Sequence, residues 1–402
     1  MGCCCGGRTR PRPARPAARD RTTTAKWHSP LPAAMNYRTL GDSGVEVSEI
    51  GFGAWVVGTD WWGDRTESQA KEMLRYAVDQ GITYFDTGDV YGHGRSEELV
   101  GEALAEMRDE VTIATKIGYD FYNNPQAGHG ELPKEMRRDY LEAAFEKSLD
   151  RLGLERVDVL QLHNANLEEM DADVLEFLDE VRESGRADAV GLALGPSIGW
   201  LAEGDLAIEE EFDSVQLVWS LLEQAVGSHF LETIERTGSS TSLVPRVPHS
   251  SGLLNEQVTP DTELEEGDHR AYRPDEWYES GWEKIAALRF LERPGQGSAD
   301  GSSGQGPREG RERTMAQASL RWLLYHDEVA TVTPTFRTRE DIDEWAAASE
   351  VPPLTDAEHE RVQALYADDF GIERDDGMDA LRSSVGGEDI EAAGLDKESA
   401  GS

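Results

Sequence analysis

The chain is almost without cysteine. Its only three, Cys3, Cys4 and Cys5, stand together near the start. A disulfide framework and a CxxC metal site are therefore excluded from the rest of the sequence. No run of about 18 apolar residues occurs, so no membrane-spanning helix is expected. Positive charge is scarce: 39 Lys and Arg face 79 Asp and Glu, a formal net charge of −40. Phosphate backbones are bound by clustered Lys and Arg, so nucleic acid is not an expected partner. No GxGxxG motif opens a helix, which argues against a Rossmann site. The opening Met1-Gly2-Cys3-Cys4-Cys5-Gly6 has Gly6 where a myristoylation signal has Ser or Thr. No apolar h-region follows it, so no secretory signal is read, and the cytoplasm is the expected location.

What the chain does contain is enough to fold. Hydrophobic residues make up 38%, with 10 Trp, which argues against an acidic disordered protein. Its 402 residues allow two ordinary domains or one large α/β barrel with insertions. The acids are spread along the whole length, a pattern that fits a halophilic surface, solvated in concentrated salt. Residues 1–34 reverse this charge, with Arg8, Arg10, Arg12, Arg15, Arg19 and Arg21 against Asp20. They read as a non-native or disordered basic extension, with Met35 as the natural first residue. A basic docking arm is the alternative. Residues 35–372 read as one barrel domain, and 373–402 as a polar acidic tail. Within the barrel domain, 255–314 is a long insertion, and its low-complexity part, 294–310, is expected to be disordered.

Periodicity supplies the fold class. Apolar residues at Ala70, Met73, Leu74, Ala77 and Val78 mark a helical face, ended by Gly81. Similar faces follow Ser96, expected as a helix cap, and occupy about 138–152 and 171–184. A helix is also expected around 282–291, and Thr355 with Glu358 forms a capping box before the last one. Eight short β-like runs alternate with the helices: 48–55, 83–87, 111–116, 157–163, 187–194, 212–219, 242–247 and 329–334. Ahead of them, 37–40 and 45–47 flank Gly41-Asp42-Ser43-Gly44 as a β-hairpin. The expected architecture is an α/β, (β/α)8 TIM barrel with an N-terminal hairpin and a long insertion after the seventh strand.

Chemistry-bearing residues gather at the carboxyl ends of these runs. Asp86 ends one and Tyr91 lies in the loop after it. Lys116 and His163 end the next two. An acid beside a lysine keeps it charged, and a cation beside a phenol favours the phenolate. Gln216, Arg246 and Gly252 follow near later strand ends. The adjacent Trp61 and Trp62, with Trp55, suggest a substrate wall, or plain packing of that loop. The lesser alternative is that Asp86 and Lys116 form a structural ion pair, with Tyr91 a loop aromatic and His163 a satisfied core histidine.

The stretches FDTGDVYGHGRSEELVGEAL at 85–104, TKIG at 115–118 and VDVLQLH at 157–163 resemble the aldo-keto reductase family, and the resemblance extends from about Met35 to about Phe370. It implies hydride transfer between a nicotinamide cofactor and an aldehyde, ketone, sugar or alcohol. Tyr91 would be the proton donor, Lys116 with Asp86 would tune it, and His163 would orient the carbonyl. It also implies that Gln216 holds the carboxamide, that Arg246 stacks on the nicotinamide, and that Ser250–Leu254, including Gly252 and Leu253, is the pyrophosphate loop. Arg337 would contact the adenosine phosphate, and Asp341 falls where many members have Arg or Gln. Ala193-Leu194 replaces the usual Ser-Asn pair. NADP is the expected cofactor, with NAD possible; no metal is expected. A cofactor-binding regulatory subunit with little turnover is the alternative, and a lyase using Lys116 as a Schiff base is a third reading. The sequence leaves the oligomeric state open.

Overall fold

A computed structural model describes residues 35–59, 65–124, 132–195, 200–264, 270, 275–294 and 311–372. The expectations for 1–34, for most of 294–310 and for 373–402 lie outside these, as do Trp61 and Trp62.

Strands β1 (Tyr37–Leu40) and β2 (Val45–Ser48) pair antiparallel as the expected hairpin, with Tyr37 opposite Ser48 and Leu40 opposite Val45. Seven parallel strands follow in sequence order: β3 (Phe52–Gly53), β4 (Tyr84–Asp86), β5 (Thr112–Ile117), β6 (Val157–His163), β7 (Ala187–Ala193), β8 (Ser214–Val218) and β9 (Ser242–Arg246). The eighth expected strand, 329–334, closes the ring by single parallel bridges only. Val329 and Thr333 meet Leu243 and Arg246 on one side, and Val332 meets Ile50 on the other. The first expected strand is also cut short. Gly51 and Gly53 bring its backbone against Thr331, Thr333 and Pro334, and Trp55 already begins a helical turn, α1 (Trp55–Gly58).

The outer ring is built by α2 (Glu67–Asp79), α3 (Arg95–Leu104), α4 (Arg138–Leu152), α5 (Ala172–Glu183), α6 (Leu201–Glu209) and α7 (Ala225–Thr237). After the seventh barrel strand come α8 (Asp275–Leu288), α9 (Met315–Leu323), α10 (Arg339–Ala346) and α11 (Asp356–Ala367). Helix α8 starts seven residues before the expected 282. The Ser96 expectation fails: Gly94 stands at the cap of α3, and Ser96 is buried inside its first turn. The Thr355 capping box is present as expected.

Two apolar cores result. The larger lies between the barrel and its helices. The smaller fills the barrel floor, where Leu40, Val45 and Val47 of the hairpin meet Tyr84, Ala114, Val159, Ala189, Val244 and Ala330. The hairpin thus plugs the amino-terminal end, leaving the carboxyl end for chemistry.

Candidate active site

Side chains alternate along a strand, so residues two apart share a face. Tyr84, Ala114, Val159 and Val244 point into the floor. Two residues further up stand Asp86, Lys116, Gln161 and Arg246, and two beyond Gln161 stands His163. The face that is apolar at the floor becomes polar at the upper end.

Lys116 is fully buried. Its Nζ donates to Asp86 Oδ2 at 2.7 Å and to the Thr87 carbonyl at 2.7 Å. The other Asp86 oxygen accepts from Gln161 Nε2 at 3.1 Å. A buried charge survives when it is paired and hydrogen-bonded in this way. Burial pulls the Lys116 pKa down, but Asp86 and Tyr91 outweigh it and set it above the ordinary lysine value. The ammonium lies 4.8 Å from the centroid of the Tyr91 ring.

The loop carrying Tyr91 has little freedom. Gly92 has φ +61°, and a Cβ there would lie 1.8 Å from the Gly58 carbonyl oxygen. Ser96 ties the same loop to the first strand's end: its Oγ accepts from Thr87 Oγ1 and donates to the Ala54 carbonyl, both at 2.8 Å. Tyr91 is left half-buried between Trp55, with ring centroids 6.4 Å apart, and His163, edge-on at 5.6 Å. Tyr119 packs on the other side of His163 at 4.8 Å, and its hydroxyl accepts from the Asn164 amide. Burial, then the charges of Lys116 and Arg246, hold the His163 pKa well below the ordinary histidine value. Its imidazole is neutral at pH 7, so it can polarise an oxygen by one N–H without adding charge.

Trp55, Asp86, Tyr91, Gln216, Arg246 and Gly252 share the lining of one cavity of ≈ 120 Å³. Gln216 is buried, and its Nε2 donor has no acceptor among the described residues. A carboxamide oxygen would supply one, so this residue fits a nicotinamide. Among the described residues Arg246 pairs with no acid. Its Nη2 donates to the Leu194 and Gly195 carbonyls at 2.9 and 2.7 Å. Gly252 has φ +101°, and a Cβ there would meet Val258 Cγ2 at 2.9 Å. Leu253 is outside the cavity: its side chain packs beneath Gly281 of α8, and its N–H donates to the Ser250 carbonyl.

The sequence pattern of the aldo/keto reductase family matches residues 49–367. The chain belongs to that family. Aldo-keto reductase YhdN of Bacillus subtilis (strain 168) is 36% identical over 161 residues, 40% of this chain and 47% of that protein. The aligned part thus spans about half of that relative. L-glyceraldehyde 3-phosphate reductase of Escherichia coli (strain K12) is 29% identical over 325 residues, 77% of this chain and 86% of that one. The holo form of aldo-keto reductase AKR11C1 from Bacillus halodurans superposes with a TM-score of 0.64 at 25% identity, covering 83% of this chain and 96% of that chain.

In this aldo/keto reductase, neither Arg337 nor Asp341 lines the cavity itself. Asp341 is buried in the first turn of α10. Its Oδ2 accepts from the Arg337 and Thr338 backbone N–H groups, each at 3.0 Å, and Gln257 Nε2 reaches both its oxygens. The Arg337 carbonyl accepts from Arg65 Nη2 at 2.8 Å. Burial and the Arg337 charge lower the Arg65 pKa, so two guanidiniums stand together there. Arg339 is turned away, paired with Glu72 over the Tyr76 ring.

Sequence reasoning passed over Gln161, Tyr119, Arg65, Gln257 and Arg270. Only Gln161 carried a readable signal, a polar residue two before His163 on an otherwise apolar strand. Arg270 lies in the insertion and lines the cavity, 3.4 Å from where a Gly252 Cβ would sit.

Proposed function

We propose that this chain reduces an aldehyde or ketone with NADPH, accepts NADH less well, and oxidises a sugar or alcohol in reverse. The observation that carries this reading is the Asp86-held Lys116 ammonium, 4.8 Å from the Tyr91 ring beside the cavity. The reduced nicotinamide, when bound, supplies the hydride. Gln216 Nε2 holds its carboxamide, the face of Arg246 flanks its ring, and Gly252 leaves room for the pyrophosphate. Arg65 and Arg337 answer the adenosine phosphate. Tyr91 gives its phenolic proton to the carbonyl oxygen, and Lys116 stabilises the phenolate left behind. Neutral His163 orients that oxygen through one N–H. Trp55 forms one wall for the substrate.

Loss of the nicotinamide absorbance with a panel of aldehydes tests the reading. Cofactor binding without turnover on any of them would favour a regulatory subunit. Ala193-Leu194, in place of two polar carboxamide ligands, supports that second reading. The intact group of Asp86, Tyr91, Lys116 and His163 supports the first.

We also place the protein in a cytoplasm rich in salt. At −40 the surface acids repel one another. The screening length falls from ~10 Å at 0.1 M to ~3 Å at 1 M. Dilution of potassium chloride should unfold the chain, followed by its helical signal. A chain that stays folded and active in dilute buffer would make the acidity a solubility feature.

A further inference from the structure

Arg246 is the last residue of β9, and its guanidinium reaches the end of β7. A guanidinium has five N–H donors in a rigid fork. Two, on Nη2, are taken by the Leu194 and Gly195 carbonyls. These neutral acceptors fix the plane without answering the charge. The donors on Nη1 and Nε have no acceptor among the described residues.

No acid among the described residues bonds this guanidinium, although Asp86 and Glu223 act on its charge from a distance. Asp86 is held by Lys116 and Gln161. Glu223 accepts from Ser220 and forms no ion pair with Arg246. His163 is neutral and Lys116 is a cation. Lys116 and Arg246 stand against Asp86 and Glu223, so the charges balance in number while the Arg246 fork keeps open donors. A desolvated cation is costly without a partner. An oriented fork suits the planar, bidentate pairing of a carboxylate or phosphate.

We propose that the edge of Arg246 is an anion subsite beside Tyr91, and that the preferred substrates are carbonyl compounds bearing their own carboxylate or phosphate. This rests on Tyr91 as the site of carbonyl reduction. It leaves the face of the guanidinium to the cofactor ring. The cofactor's phosphates are a second source of the same chemistry, and the experiment separates the two.

The test compares benzaldehyde with 4-carboxybenzaldehyde, which differ by the carboxylate alone, in wild type, Arg246→Gln and Arg246→Lys. Ionic strength is held constant and NADPH is saturating. The ratio of kcat/KM for the two aldehydes, taken on one preparation, cancels any difference in folded fraction. Wild type should favour the carboxylate, and Arg246→Gln should lower the ratio by about tenfold to a hundredfold. Arg246→Lys should fall between, because it keeps the charge and loses the fork. An unchanged ratio in Arg246→Gln would overturn the subsite. A raised KM for NADPH with that ratio unchanged would assign the arginine to a cofactor phosphate instead. Benzoate, read by thermal shift, reports the subsite without turnover. It should raise the melting temperature of wild type and not of Arg246→Gln. Inertness toward both aldehydes with the benzoate shift intact would count against the reading of Tyr91. Absence of the shift in wild type would count against the subsite.

Discussion

Two arginines, one at each end of the barrel, separate structure from function. Arg38, in β1 below the floor, spends all its donors. Nε and Nη2 meet Glu49, Nη1 meets the carbonyls of His326 and Val329, and Nη2 also meets that of Leu324, all within 2.7–2.9 Å. The guanidinium of Arg246, above the floor, has bonds on one nitrogen only among the described residues. The same contrast holds around them. Glu49 is shared by Arg38, Asn36, Arg321 and Ser349, whereas Gln216 Nε2 and His163 Nδ1 have no partner among the described residues. A buried polar group left unmatched costs free energy. Arg38 and Glu49 are matched within the protein, although the Tyr84 hydroxyl and Arg321 Nε at the same end also have no partner among the described residues. At the upper end the open groups of Gln216 and Arg246 belong to residues that line the cavity.

The sharpest break of this contrast is at Tyr91. Tyr91→Phe removes one hydroxyl from the upper end and should lower kcat by ~10²–10⁴-fold, the usual range for general acid catalysis. Cofactor affinity, measured by fluorescence titration, should hold. A loss below tenfold would mean that Tyr91 is not the proton donor.

The two arginines themselves come next. Arg38→Met breaks the ion pair with Glu49 and takes the guanidinium donors from three carbonyls, and should cost about 3 kcal/mol or more of stability. Arg246→Met removes two bonds to neutral carbonyls and breaks no ion pair among the described residues, so it should cost less, about 1–2 kcal/mol. Urea titrations of both variants at one salt concentration compare them. Equal losses would dissolve the distinction between the ends.

How much of this was legible in the sequence follows the same division. Asp86, Lys116 and His163 could be placed because each ends an apolar run, and a parallel barrel brings such ends together. The loop position of Tyr91 came with them. Arg246 could be placed at the site but its partners could not, since Leu194 and Gly195 lie just past the end of β7, two strands away. The closing segment 329–334 read as a full strand, yet it pairs only through single bridges, because strand pairing is decided by neighbours. Asp341 read as a cofactor residue, while Thr338-Arg339-Glu340-Asp341 also encoded a capping box that the family likeness obscured.

A pH change should strain the lower end. Burial, and then the facing His359, hold the His326 imidazole at a pKa of about 4, against 6.5 ordinarily. Their Nε2 atoms lie 3.4 Å apart, and Tyr325 stacks on His359 while Trp219 stacks on His326. The unfolded chain takes up this proton near pH 6.5 and the folded chain only near 4. The unfolded state therefore binds more protons in that window, and stability falls as pH drops through it. The loss approaches about 3 kcal/mol by pH 4. His359, whose pKa burial also lowers, adds in the same sense. The melting temperature of His326→Gln should fall less steeply than that of wild type between pH 7 and 4.5. Parallel slopes would remove His326 as the cause.

The smallest effect expected sharpens the contrast at its exception. Asp341 belongs to the upper half yet is matched like the lower end, accepting from two backbone N–H groups and from Gln257. Its carboxylate stands at the amino end of α10, where a helix favours negative charge, and so it occupies the place a phosphate would take. On the proposed reading, Arg65 and Arg337 beside it would attract the extra phosphate of NADPH, and Asp341 would repel it. Asp341→Asn keeps an oxygen for the cap and removes the repulsion. The ratio of kcat/KM for NADPH over NADH should rise about fivefold, about 1 kcal/mol, within the ~0.3–2 kcal/mol that a charge at a helix terminus is worth from exposed to partly buried sites. Thermal stability should fall by a similar energy, because the carboxylate loses its interaction with the α10 dipole. Salt should shrink both changes together, as screening acts on the same charge. A ratio that stays level while stability falls would make Asp341 a cap alone, leaving cofactor choice to the two arginines.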